Sequence, residues 1–289
     1  MKHNFLGLDD KHANYRGSTF AVLPVPYDAT VSYQVGTRIG PAAILDASQQ
    51  VELFDDELGT EPYRAGVCTL DAVEVRSDGP AAMHEAIVKS ARKPVREGKF
   101  LFGIGGEHGV TSGLVRAVAG RYKKLSILQI DAHLDLRDQY EGSSYSHASV
   151  MRRCLDHVER IVPVGIRNVA KEESTFLKKS GIKPIYARDC RESEDWIDRA
   201  IDGLGDTVYV TIDIDGFDPA YAPGTGTPEP GGLDWYQVTA LLRQVAEQRR
   251  IVAADIVEVL PIPGQPVTEF LAARLAYRLM AYVHAASKS

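Results

Sequence analysis

The sequence predicts an α/β layer fold, a buried parallel sheet with helices on both faces. Two observations carry this prediction. Short runs that are apolar along both faces, as a fully buried parallel strand requires, recur along the chain. Amphipathic helix-like stretches alternate with them. No internal repeat, low-complexity tract or Pro/Gly/Ser linker divides the 289 residues, so residues 1–289 are read as one domain.

In chain order, the wholly apolar Phe20–Leu23 reads as the first strand, with an amphipathic helix over Pro41–Val51 after it. Gly66–Leu70 is a strand candidate, followed by the helix Pro80–Glu97. Phe100–Ile104 and Ser126–Ile130 are the next strands, separated by the helix Ser112–Tyr122. A helix is expected over Ser146–His157, then the strand Ile161–Gly165, the helix Glu172–Ser180 and the strand Lys183–Tyr186. The pattern continues with the helix Glu194–Leu204, the strand Val208–Ile212 and the helix Asp234–Glu247. The strand Ile251–Val257 and the helix Val267–Ala285 complete it.

Composition narrows the function classes. With 44% hydrophobic and 25% charged residues the chain has ample material for a core, which excludes a disordered chain. The longest apolar runs, such as Ile251–Ala254 and Val257–Leu260, fall far short of the roughly 18–20 residues of a membrane span. Met1–Asp10 holds no apolar stretch long enough for a secretory signal. Basic residues number 33 against 39 acidic, net −6, which argues against nucleic acid or an anionic membrane as partner. Cys68, Cys154 and Cys190 form no Cys-x-x-Cys pair, so neither a disulfide framework nor a thiolate zinc site is indicated, and a cytoplasmic location is expected.

Ligands of such folds sit at the carboxyl ends of the strands, and the chemistry of this sequence is concentrated there. Gly105-Gly106-Glu107-His108 follows one strand, and Asp131-Ala132-His133-Leu134-Asp135 follows the next. Asp213-Ile214-Asp215 follows a third and Val257-Glu258 a fourth. On extended chain Asp131, His133 and Asp135 point to one side, and Asp213 and Asp215 repeat the spacing. A lone Asp-x-Asp is usually a turn or a cap. Asp-x-His-x-Asp after an apolar strand has few structural uses, because buried carboxylates are normally paired or coordinate metal. No Arg or Lys lies inside either motif. The oxygen-rich set with imidazole and no thiolate suits Mn, with Fe, Ni or Zn as alternatives. Six candidate ligands, His108, Asp131, His133, Asp135, Asp213 and Asp215, exceed the needs of one ion and suggest two.

The remaining candidates are weaker. Gly103-Ile104-Gly105-Gly106 fails the dinucleotide fingerprint, since its last position is His108. His147 lies beyond the polar loop 137–146 and is a functional candidate against a capping or solvated role. His3, His12, His84, His157 and His284 are expected to be solvated.

These residues resemble the ureohydrolase family, which includes arginase and agmatinase. The likeness runs through Val25-Pro26-Tyr27-Asp28, Arg38–Ile44, the His108 and Asp131–Asp135 motifs, and Thr211–Pro219. It continues in Pro223–Leu233 and Asp255–Val259, so that residues 18–285 are covered in the family's order. Two departures are Glu107 where Asp is frequent and Gly109 where Ser is frequent. The first is expected to leave ligand binding undisturbed, the second to loosen a hydrogen bond behind the ligands.

The resemblance implies a three-layer α/β/α fold with a mainly parallel eight-stranded sheet, two Mn(II) ions per chain, and hydrolysis of a guanidino group to urea and an amine. One ion would take His108, Asp131, Asp135 and Asp213, the other Asp131, His133, Asp213 and Asp215. A guanidinium is a poor electrophile, so a metal-bridging hydroxide is the expected nucleophile. Glu258 would pair with the guanidinium, Asp135 would carry the nucleophile's proton, and His147 would exchange protons with solvent. Arginase-like members carry a Ser/Thr/Asn-rich stretch before the counterpart of His147 and an Asp at the position of Asn168. Loop 137–146 and Asn168 match neither, which points to agmatine, giving putrescine and urea. Guanidinobutyrate, guanidinopropionate or a non-catalytic metal-binding member are the alternatives. A two-metal phosphoesterase is opposed by the anionic edge and Glu258. A homo-oligomer, trimer or hexamer, is implied by the resemblance.

Overall fold

Phe20–Val25 (β1) pairs in parallel with Val67–Thr69 (β2) on one side and with Phe100–Gly105 (β3) on the other. The structure, a computed structural model, describes residues 4–287. The remaining strands are Leu125–Ile130 (β4), Arg160–Ile166 (β5), Ile185–Tyr186 (β6), Thr207–Asp213 (β7) and Arg250–Val257 (β8). All pair in parallel, in the order β2-β1-β3-β8-β7-β4-β5-β6. Every run expected to be a strand contains one, with Gly66–Leu70 shortened to Val67–Thr69 and Lys183–Tyr186 to Ile185–Tyr186, and the sheet is parallel throughout.

The helices are Asp10–Ala13 (α1), Gly40–Ser48 (α2), Pro80–Arg96 (α3), Thr111–Ala119 (α4) and Val150–Cys154 (α5). They continue with Lys171–Ser180 (α6), Ala187–Glu192 (α7), Trp196–Gly203 (α8), Trp235–Gln248 (α9) and Val267–Ala286 (α10). Because successive strand residues face opposite ways, the sheet feeds two cores. Val208, Val210 and Ile212 pack with Ile44 of α2, Leu241 of α9 and Leu275 of α10. Tyr209, Leu101 and Ile127 pack with Ile87 of α3, Leu114 of α4 and Met151 of α5. This is the expected three-layer arrangement. None of the described helices is long and apolar enough to cross a membrane.

Two expectations are corrected. The helix expected over Ser146–His157 is an α-helix only at Val150–Cys154, preceded by a 3-10 turn over His147–Ser149. His84, expected to be solvated, is buried on α3, with Nδ1 2.9 Å from the Ser112 hydroxyl and its ring 4.8 Å from that of Tyr145. His3 lies outside the described residues, and His157 is exposed as expected. The short helices α1 and α7 were not anticipated.

Candidate active site

The four motif-bearing strands are four neighbours in the sheet, β3-β8-β7-β4. The chain runs from β3 to β4 across the places that β7 and β8 later fill, so the crevice at the strand ends opens there. Asp213 is the last residue of β7, and Asp215 follows in a 3-10 turn begun by the Asp213 carboxylate accepting from the Asp215 N–H. Asp131 follows β4, and its carboxylate accepts from the His133 N–H at 2.6 Å. Asp135 and Glu258 both take left-handed backbone angles, φ 52° and 62°. Non-glycine residues hold such angles only where their surroundings enforce them.

These side chains come together. Nδ1 of His108 lies 3.1 Å from Asp131, 3.0 Å from Asp135 and 3.3 Å from Asp213. Nδ1 of His133 lies 3.0 Å from Asp215 and 3.7 Å from Asp131. Two potential ion-holding groups result, His108–Asp131–Asp213 and Asp131–His133–Asp215, which share Asp131. Burial opposes charge on both imidazoles, yet the carboxylates outweigh it: His108 is held well above its ordinary pKa and His133 is pushed up to about 12. Burial, then repulsion from Asp131, raises Asp135 to about 7. Burial, then Asp215 and Asp131, raises Asp213 well above the carboxylate range. Burial also opposes charge on Asp131, but its bonds to His108 and His133 keep it below that range.

An anionic cluster of this density requires cations. The fit to metal is visible at His108, whose Nδ1 is buried without a well-formed hydrogen bond. Its Nε2 lies 3.0 Å from the Thr211 hydroxyl, which itself donates to Asp255 at 2.6 Å. The Thr211 proton is thus committed, so Thr211 accepts from the Nε2–H, and Nδ1 faces three carboxylates, where a metal ion would displace its proton. A divalent ion is the natural occupant of such a set, all imidazole nitrogen and carboxylate oxygen.

The sequence did not identify this supporting layer. Asp255 is fully buried and also accepts from Thr111 and Tyr209. Gln129 donates to Asp131 at 2.8 Å and to the His133 carbonyl at 3.0 Å. The available signal was polar residues at positions 129, 211 and 255 inside otherwise apolar strands.

Glu258 and His147 line the same cavity of about 230 Å³ as His133, Asp135, Asp213 and Asp215. Glu258 accepts the His108 backbone N–H at 2.6 Å, and burial followed by the charge of Glu107 raises its pKa to about 8. Burial lowers His147 to about 4, so it is neutral near pH 7. Its ring meets the Tyr140 ring edge-on at 5.8 Å. Glu107, raised to about 7 by burial, is clamped to Thr30.

At the mouth, Asn168 lines the cavity and donates to the Glu229 carboxylate at 2.5 Å. Beside it the Arg167 guanidinium reaches the carbonyls of Asp215 at 2.6 Å, Glu229 at 2.7 Å, Gly165 and Pro230 at 3.1 Å, and Phe217 at 3.2 Å. It ties the Asp215 turn to the 229–230 loop.

Comparison with known proteins agrees with this geometry. The model of the Arginase family matches residues 18–282. An N(1)-aminopropylagmatine ureohydrolase from Synechocystis is 40% identical over 276 residues, covering 93% of this chain and 90% of the relative. A protein of the same name from Thermus thermophilus is 38% identical, covering 93% and 91%. The crystal structure of an agmatine ureohydrolase from Thermoplasma volcanium superposes with a TM-score of 0.87 at 32% identity, covering 96% of this chain and 94% of that one.

Proposed function

The chain belongs to the arginase family as a ureohydrolase acting on guanidino C–N bonds, and from that premise we propose that its substrate carries an amine tail in place of an amino-acid head. N(1)-aminopropylagmatine, releasing urea and the corresponding triamine, is the first reading, and agmatine, releasing urea and putrescine, is the second. The observation that carries the amine-tailed reading is the Asn168–Glu229 bond. Asn168, which lines the cavity, is neutral, and its amide is engaged by the Glu229 carboxylate, which therefore lies within one hydrogen bond of the cavity wall. A cationic tail is favoured there, and the carboxylate of arginine or guanidinobutyrate is disfavoured. The names of the relatives from Synechocystis and Thermus thermophilus support the extended amine over agmatine itself.

His108, Asp131, Asp135 and Asp213 would hold one Mn(II), and Asp131, His133, Asp213 and Asp215 the other; the proximity of the two groups sharing Asp131 supports this assignment. When bound, the pair supplies Lewis acidity and lowers the pKa of water. Glu258 pairs with the guanidinium and fixes its carbon in the cavity. Asp135, in the cavity wall beside Asp213, takes up a proton at its carboxylate. His147, neutral because burial lowers it, exchanges that proton with solvent at the cavity wall. Three free, buried thiols support a reducing cytoplasm. The homo-oligomer belongs to the same proposal, and light scattering tests it.

Urea release by the Mn-loaded protein tests the substrate reading. The kcat/KM for N(1)-aminopropylagmatine and agmatine should each exceed that for arginine and guanidinobutyrate by at least about tenfold, ~1.4 kcal/mol. A higher kcat/KM for either carboxylate-bearing compound sinks the amine-tailed reading. Equal rates for the two amines remove the preference for the longer one.

A further inference from the structure

Glu107 is fully buried one residue before His108, and both of its carboxylate oxygens are used on a single residue. Oε2 accepts the Thr30 backbone N–H at 2.6 Å, and Oε1 accepts the Thr30 hydroxyl at 2.7 Å. A threonine hydroxyl has one proton. With that proton given to Glu107, the hydroxyl can only accept from the His147 backbone N–H, which lies 3.0 Å away. With Glu107 ionised, the hydrogen bonds run one way, from the His147 N–H through the Thr30 hydroxyl to Glu107. The base of this series is immobile, because the Glu107 N–H is itself tied to the Tyr27 carbonyl at 2.7 Å.

Room for this clamp comes from Gly109. A β-carbon there would lie 2.8 Å from Glu107 Oε1, 3.3 Å from the Tyr145 carbonyl and 3.4 Å from the His147 nitrogen. A side chain at 109 would therefore press on the carboxylate and on the Tyr145–His147 segment together. The acid at 107 and the glycine at 109 are thus one steric arrangement, in which the Glu107 carboxylate takes the space that a side chain at 109 would need.

We propose that Glu107 and Thr30 are positioning residues for His147, with Gly109 as the vacancy that admits the Glu107 carboxylate. The proposal rests on the reading of His147 as the group that exchanges protons with solvent. A displacement of about 1 Å in such a group can lower turnover by as much as about 100-fold.

The test is steady-state kinetics with agmatine on the Mn-loaded full chain, with metal content measured for each variant. Thr30→Val removes the hydroxyl at similar volume and replaces no predicted metal ligand. It and Gly109→Ser should each lower kcat by about tenfold or more, with KM within about threefold and metal content unchanged. The double variant Glu107→Asp/Gly109→Ser should recover most of the loss of Gly109→Ser alone. In a His147→Asn background Thr30→Val should cause little further loss.

Equal fold-losses from Thr30→Val with His147 present or replaced overturn the proposal. So do losses confined to KM or metal content, and multiplicative losses in the 107/109 double variant. A His147→Asn enzyme with wild-type kcat removes the proton-exchange reading and the positioning role with it. A deficient His147→Asn enzyme that still shows the full Thr30→Val loss removes the positioning role alone.

Discussion

Thr211 accepts a hydrogen bond from the His108 Nε2–H at 3.0 Å, which leaves Nδ1 facing Asp131, Asp135 and Asp213. The hydroxyl acts as acceptor because its own proton is held by Asp255 at 2.6 Å.

Thr211→Val keeps the volume and removes that acceptor. The His108 tautomer is then no longer fixed, and metal affinity should fall about 10–100-fold, the range for loss of a partner behind a ligand. Competition with a chelator measures it. Wild-type affinity in the variant contradicts the orienting role of Thr211.

Asp131 is shared by both clusters of converging ligands, and with Asp213 by both proposed ions, whereas Asp215 belongs to one. Asp131→Asn should therefore cost at least one ion per chain and abolish urea release. Asp215→Asn should leave the His108 group occupied. Elemental analysis separates the two, and full occupancy in Asp131→Asn refutes the shared role.

Glu258→Gln keeps shape and removes the charge offered to the guanidinium. A hydrogen bond to a charged group contributes about 1.5–3 kcal/mol, so kcat/KM should fall roughly 10–100-fold. KM should rise and metal content should stay constant. Kinetics with an unchanged KM would show that Glu258 does not hold the substrate.

His84 carries a pH dependence of stability. Burial, then the nearby charge of Arg116, lowers its pKa from 6.5 to about 4. Between those values the unfolded chain binds more protons than the folded one, so stability is full above pH 6.5 and is lost as pH falls toward 4. The loss is on the order of 2–3 kcal/mol. His84→Phe should flatten this part of the curve, since Ser112 retains the Gly109 carbonyl as partner at 3.0 Å. Urea denaturation of both proteins at pH 4 to 7 gives the difference. Parallel curves would exclude His84.

The sheet was legible because its strands are apolar on both faces, a pattern with few other uses in so short a run. The motif residues were legible because charge stands where each of those runs stops. Strand order was not, since no local feature of Phe100–Gly105 records that β8 rather than β4 lies beside it. Without that order, Thr211 and Asp255 read as isolated polar residues, although they pair in register across β7 and β8. His84 could have been read correctly. It falls in line with Ile87, Val88 and Ala91 on the buried stripe of α3. The turn at His147 was missed because side-chain periodicity does not separate a 3-10 turn from the first turn of a helix.

The strand order also dictates when the site can exist. During synthesis β3 and β4 emerge before residue 206, but they are not neighbours; the two strands that lie between them, Thr207–Asp213 and Arg250–Val257, come last. Until the ribosome has delivered Thr207–Asp213 the partial sheet has a two-strand gap through its middle, and until it has delivered Arg250–Val257 a gap of one strand. His108 and Asp131 then stand on opposite banks of it. A chain halted at residue 200 should thus retain no metal at this centre and should expose the apolar edges of β3 and β4, the kind of surface that chaperones bind. Acquisition of the ions is in this sense a report that β7 and β8 have taken their places in the sheet.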